Sequence, residues 1–202
     1  MKVGLLGGTF DPIHLGHLIA AESAREQVDL ERIVFVPSFM PPHKKNYNIT
    51  PCEIRLEMVR LAIREEPFFD CSAIEIERQG MSYTVDTLKA LHAANPDWEL
   101  FFIIGADMLA DIHMWKNINE IPELCQIVCV TREGVEQNDI LQMELPLPEK
   151  TKKALMQNIV SMPPVGIASS QLRECVRTGK TIRYCVPDAV LALINEKGLY
   201  QQ

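Results

Sequence analysis

Residues 7–17 read Gly7-Gly8-Thr9-Phe10-Asp11-Pro12-Ile13-His14-Leu15-Gly16-His17. An apolar run at 1–6 precedes them and an amphipathic run at 18–22 follows. A strand, a glycine turn and a helix in that order make a nucleotide-binding crossover. Gly7 and Gly8 carry no Cβ, so the backbone there can come close to a ligand. His14 and His17 are three residues apart, a spacing that puts both on one face of a helix. At the first turn that face looks toward whatever sits on the glycine loop, and the stretch reads as a phosphate site.

Outward from this stretch, short runs rich in β-branched residues alternate with helical patterns. Strands are expected at 2–6, 32–37, 70–76, 100–104, 127–131 and 158–162. Helices are expected near 16–28, 52–65, 83–94, 106–121, 149–157, 170–177 and 187–197. Such alternation predicts an α/β fold: a Rossmann-like, doubly wound, mostly parallel sheet with helices on both faces. Runs such as Ile33-Val34-Phe35-Val36 suit strands buried on both sides. One domain is expected over 1–202, with a small helical part at 165–202. The stretch 132–150, with Gly134, Pro146 and Pro148, reads as a long surface connection.

A chain of 202 residues suffices for one well-buried domain. Apolar residues at 47% and charged residues at 23% are ordinary for a soluble protein. No run is long enough to span a membrane, and no secretory signal opens the chain, so a cytoplasmic location is expected. The six cysteines form no CxxC pair and read as free thiols in a reducing compartment. With a net charge of −7 and no basic tail, no nucleic-acid partner is expected. A homo-oligomer is neither required nor excluded.

In an open parallel sheet, ligands bind where strands end and helices begin. Three further segments fall there. Pro37-Ser38-Phe39-Met40-Pro41-Pro42-His43-Lys44-Lys45 is stiffened by prolines and ends in groups able to close over phosphates. Ile167-Ala168-Ser169-Ser170-Gln171-Leu172-Arg173 offers Ser169 or Ser170 as a helix cap, with Arg173 one turn on; by its physics this is an anion site. Gly105-Ala106-Asp107 follows the fourth strand. With Ser82-Tyr83-Thr84 opening a helix, and Trp115, it offers a carboxylate site and a stacking surface for a flat ring. Each segment alone is equally an ordinary loop, cap or core residue. No GxGxxG and no GxxxxGK occurs, so a dinucleotide dehydrogenase or P-loop enzyme has little support.

Together these segments resemble the HxGH nucleotidyltransferases, and within that superfamily the bacterial nicotinate-mononucleotide adenylyltransferases. The likeness rests on Gly7–Pro12, His14-Leu15-Gly16-His17, Pro41-Pro42-His43-Lys44, Ser82–Leu88, and Ile104-Gly105-Ala106-Asp107 followed by Trp115. It runs from residue 2 to about 199. The late motif departs from the family's by Ala168 in place of a serine, and Arg132-Glu133-Gly134 lacks the family's proline.

The resemblance implies adenylyl transfer from ATP to nicotinate mononucleotide, giving deamido-NAD and pyrophosphate, with Mg²⁺ riding on substrate phosphates rather than in a protein cage. It implies an ATP site of Gly7, Gly8, His14, His17, Gly105, Asp107, Ser169, Ser170 and Arg173, with His14, His17 and Arg173 on the phosphates. It implies a mononucleotide site of Gly8, Thr9, Phe10, Lys44, Tyr83, Thr84, Trp115 and Lys116. Two alternatives stay open: the same chemistry with nicotinamide mononucleotide, phosphopantetheine or a glycerol phosphate, and a nucleotide-binding regulator without catalysis.

Overall fold

Six apolar runs form the strands β1 (Lys2–Gly8), β2 (Arg32–Pro37), β3 (Phe69–Cys71), β4 (Glu99–Gly105), β5 (Gln126–Thr131) and β6 (Asn158–Ser161). They pair in parallel as one sheet in the order β3-β2-β1-β4-β5-β6. This computed structural model describes residues 1–42, 49–131, 140, 143 and 145–201. His43, Lys44 and Arg132 lie outside the described residues.

The α-helices among the described residues are α1 (Leu15–Val28), α2 (Cys52–Ile63), α3 (Ile74–Arg78), α4 (Thr84–Ala94), α5 (Ile121–Leu124), α6 (Glu149–Leu155), α7 (Ser169–Arg177) and α8 (Asp188–Glu196), the last two after the final strand. Side chains alternate across each strand, so each strand feeds two cores. Ile33, Phe35, Phe101, Ile103, Val128 and Val130 face one cluster with α1, α2, α7 and α8. Val34, Val36, Phe102, Ile104, Ile127 and Cys129 face the other, with α4 and α5. Leu172, Val190, Leu193 and Ile194 of the C-terminal helices share the first cluster with Phe10, Ile13 and Met58. No helix among the described residues is long and apolar enough to cross a membrane.

Two expected elements differ. The strand expected at 70–76 pairs only over Phe69–Cys71. Ser72 N–H donates the last ladder bond, to Phe35 O at 2.9 Å. The Ser72 hydroxyl then takes Ile74 N–H at 3.3 Å, and the chain turns into α3. The helix expected at 106–121 is a 3₁₀ helix over Ala106–Met114, a second over Ile118–Glu120, and then α5. Extended Trp115 (φ −70°, ψ 139°) and left-handed Asn117 (φ 51°) break the run, and Pro122 starts the next helix.

All six cysteines are free. Burial pushes Cys125 and Cys129 up to about 12 and Cys71 to about 11, which keeps these three thiols protonated at neutral pH.

Candidate active site

The strand order reverses between β1 and β4, and the C-terminal ends of β1, β2 and β4 open onto one cleft. β1 runs into the glycine loop. Phe10 there takes φ 49°, a left-handed conformation that a bulky side chain rarely adopts. Burial of its ring holds it: the ring centroid lies 5.1 Å from His17, edge-on, and 5.9 Å from Phe35. The Asp11–Pro12 peptide is cis.

The histidines do meet, but not as two residues on one helix face. His14 is the N-cap of α1, with extended backbone (φ −145°, ψ 170°), and His17 is the third helical residue. Their rings stack with centroids 3.8 Å apart and planes 27° from parallel. His14 N–H donates to His17 Nδ1 at 3.2 Å. An Nδ1 that accepts a bond holds no proton, so the His17 proton sits on Nε2, which is then a donor. His14 is 3% exposed. Gly16 makes room for it: a Cβ there would stand 3.1 Å from the His14 ring.

The late motif reaches this loop from the far end of the chain. Arg173 Nη1 donates to Asp11 O at 2.7 Å, and the Ser169 hydroxyl donates to Pro12 O at 3.0 Å. Ser169 and Ser170 do not cap α7; Ala168 is the cap, with no side-chain bond. The serine that reads as a local cap instead ties two distant segments together. Ser170 is exposed.

The second and third segments form the other wall. Ser82 Oγ accepts from Phe39 N–H at 2.9 Å and Met40 N–H at 3.3 Å. Ser82 N–H donates to Met40 O at 2.9 Å. A cavity of about 150 Å³ lies between this wall and the glycine loop, lined by Gly7, Gly8, Thr9, Ser38, Thr84, Phe102 and Trp115 among others. Trp115 stands edge-on to Phe102, centroids 5.9 Å apart. A neighbouring hollow of about 130 Å³ is lined by Pro42, Tyr83, Thr84, Met114, Trp115 and Lys116. Thr84 is the first residue of α4, whose cap Tyr83 makes no side-chain bond there. Lys116 Nζ pairs with Asp86 at 2.9 Å and lies 4.6 Å over the Tyr83 ring, so its charge already has local partners. Asp107, exposed, folds its carboxylate back over Gly105; a Cβ at 105 would lie 2.3 Å from Asp107 Oδ1.

Sequence reasoning missed two residues. Arg55 of α2 is 1% exposed. Its Nη1 donates to Thr9 O at 2.7 Å, Nη2 to Ser38 O at 2.7 Å and Phe39 O at 3.3 Å, and Nε to Thr50 O at 2.8 Å. One guanidinium thus fixes the glycine loop to the loop after β2. Burial pushes its pKa down, and the Asp11 carboxylate pulls it back up. A signal was present: Arg55 sits with Cys52, Met58 and Val59 on the buried stripe of α2, where a surface arginine does not belong.

Tyr200 is the other. Its hydroxyl donates to Asp11 Oδ1 at 2.7 Å, and Thr50 N–H donates to Asp11 Oδ2 at 3.3 Å. Burial, then the Asp11 carboxylate, push the phenol up, so it remains a donor. Nothing in the sequence marks it. Tyr200→Phe removes a bond to a buried carboxylate and is expected to cost about 1.5–3 kcal/mol, read as a lower urea midpoint at unchanged slope.

The cytidylyltransferase-like family model matches residues 5–175. A Geobacillus thermodenitrificans protein named "Probable nicotinate-nucleotide adenylyltransferase" is 45% identical over 199 residues, 98% of this chain and 86% of its own. A Thermus thermophilus protein of the same name is 43% identical over 201 residues, 100% of each chain. In fold, the chain is similar to Plasmodium falciparum nicotinic acid mononucleotide adenylyltransferase complexed with NaAD. The TM-score is 0.77 at 18% identity, covering 98% of this chain and 97% of that one.

Proposed function

Since this chain belongs to the cytidylyltransferase-like family and, within it, to the nicotinate-nucleotide adenylyltransferases, we propose that it transfers the adenylyl group of ATP to nicotinate mononucleotide, yielding deamido-NAD and pyrophosphate. The observation that carries the reading is one cleft with two unlike halves. One half presents His14, His17 and Arg173 around the glycine loop. The other is a cavity walled by Thr84 and Trp115. The first suits a triphosphate and the second a flat, substituted ring.

The chemistry asks little of proton transfer. A phosphate oxygen of the mononucleotide attacks the α-phosphorus of ATP, the bond to the bridging α–β oxygen breaks, and pyrophosphate leaves. The attacking group is already anionic at neutral pH, so no general base is needed. What the protein supplies is alignment and charge stabilisation. In this reading His17 Nε2, His14 and Arg173 contact the ATP phosphates, with Gly7, Gly8, Ser169 and Ser170 beside them. Gly105 and Asp107 face the ATP sugar or order its loop. The amides of residues 8–10 and Lys44 hold the mononucleotide phosphate. Tyr83, Thr84 and Lys116 line the nicotinate end, and Trp115 stacks on the ring.

Mg²⁺ fits this set as a passenger of the triphosphate. Among the described residues no group of three or more His, Cys, Asp or Glu converges to hold a metal. The glycine loop presents backbone amides with the Arg173 guanidinium beside it, groups that donate to anion oxygens. Bound with the triphosphate, Mg²⁺ would supply neutralisation of the phosphate charge.

The test is pyrophosphate release across nicotinate mononucleotide, nicotinamide mononucleotide and phosphopantetheine, each with ATP and Mg²⁺. Nicotinate mononucleotide is expected to give the highest kcat/KM. Equal rates with the amide remove the acid preference, and no release with any acceptor removes the reading.

A further inference from the structure

Ser38 follows β2 at the mouth of the cleft and is 7% exposed. Both its backbone groups are engaged: its N–H donates to Gly8 O at 2.9 Å, and its C=O accepts from Arg55 Nη2 at 2.7 Å. Its position is therefore fixed from both sides, by the glycine loop and by a buried guanidinium. Its hydroxyl has no hydrogen-bond partner among the described residues. A buried hydroxyl without a partner destabilises the fold and calls for an explanation. The cavity supplies one, because Ser38 lines it. Trp115 Nε1, on the same cavity, is likewise buried and without a partner among the described residues. Two orphaned polar atoms on one cavity mark it as the place of a polar ligand.

Placement narrows which part of the ligand. Gly8 pairs with Pro37 in the sheet register and Ser38 N–H donates to Gly8 O, so Ser38 stands directly beside the glycine loop, whose amides the functional reading gives to the mononucleotide phosphate. Resting on the functional reading above, we propose that Ser38 is a substrate-contacting residue. Its hydroxyl hydrogen-bonds the ribose-phosphate half of the acceptor mononucleotide, and it is held ready for that contact by Gly8 and Arg55. A hydroxyl both donates and accepts, so it can serve a ribose hydroxyl or a phosphate oxygen.

The test compares wild type with Ser38→Ala by calorimetric titration of nicotinate mononucleotide, steady-state kinetics and thermal melting. Expected are an affinity for nicotinate mononucleotide weaker by about fivefold to tenfold, a KM for the mononucleotide raised to match, and a KM for ATP unchanged. The melting temperature should hold or rise, because the removed group lacks a partner in the folded protein. A hydroxyl with a purely structural role would lower the melting temperature and leave the affinity alone. Equal mononucleotide affinity in the two proteins, or a lowered melting temperature without an affinity change, overturns the inference. Absence of mononucleotide binding by the wild type overturns the functional reading and takes the inference with it.

Discussion

Replacing His14 with alanine is expected to lower kcat by about two to three orders of magnitude, the usual cost of removing one preorganised donor from a developing charge. The ring is buried, stacked on His17, and seated against Gly16. It is held in place before any ligand arrives, which is the condition under which a single group has so large an effect. Folding should survive, because the backbone bond from His14 N–H to His17 Nδ1 does not involve the deleted ring. Single-turnover pyrophosphate release, alongside a circular dichroism melt, measures both. Near-normal turnover in a folded variant would remove His14 from the reaction.

Arg55→Met should act on stability instead. The substitution keeps much of the apolar stem but withdraws the donors of Thr9 O, Ser38 O and Thr50 O. Each carbonyl left unsatisfied costs about 1–3 kcal/mol. A total loss of roughly 3 kcal/mol or more is a large share of the 5–15 kcal/mol that holds a domain of this kind together. The Asp11 carboxylate, 4% exposed, also loses its neighbouring positive charge. Urea unfolding should show a markedly lower midpoint. A midpoint within experimental error of wild type would mean that these carbonyls find other donors.

The sheet was legible because its central strands are continuous apolar runs, and a strand buried on both faces needs nothing else to be recognised. The end of β3 was not, because its apolar pattern runs on through Ile74 and Ile76 into a helix. The ladder stops where Ser72 N–H donates the last bond to Phe35 O, a tertiary event. The glycine loop, the histidines and Trp115 were legible as residue types, and the fold brings the loop and Trp115 onto one cavity and the two histidines together. Their geometry was not. His14 caps rather than continues its helix, and Ser169 bonds across the cleft rather than along its own backbone. The residues that hold the cleft together were the least visible. Arg55 and Tyr200 contact segments tens of residues or more away, and local pattern carries only the faintest trace of such pairings.

The bond between Tyr200 and Asp11 joins residues 189 positions apart. During synthesis the N-terminal strand and the histidine loop leave the ribosome first, and domains fold as the chain emerges. The carboxylate that braces that loop meets its phenol only after residue 200 is made. The strands can pair and the helices can dock earlier, but the loop's last restraint arrives with the final residues described. A nascent chain with most of the sheet formed is thus folded before it is finished as a binding site, and ligand affinity should appear only once residue 200 has emerged.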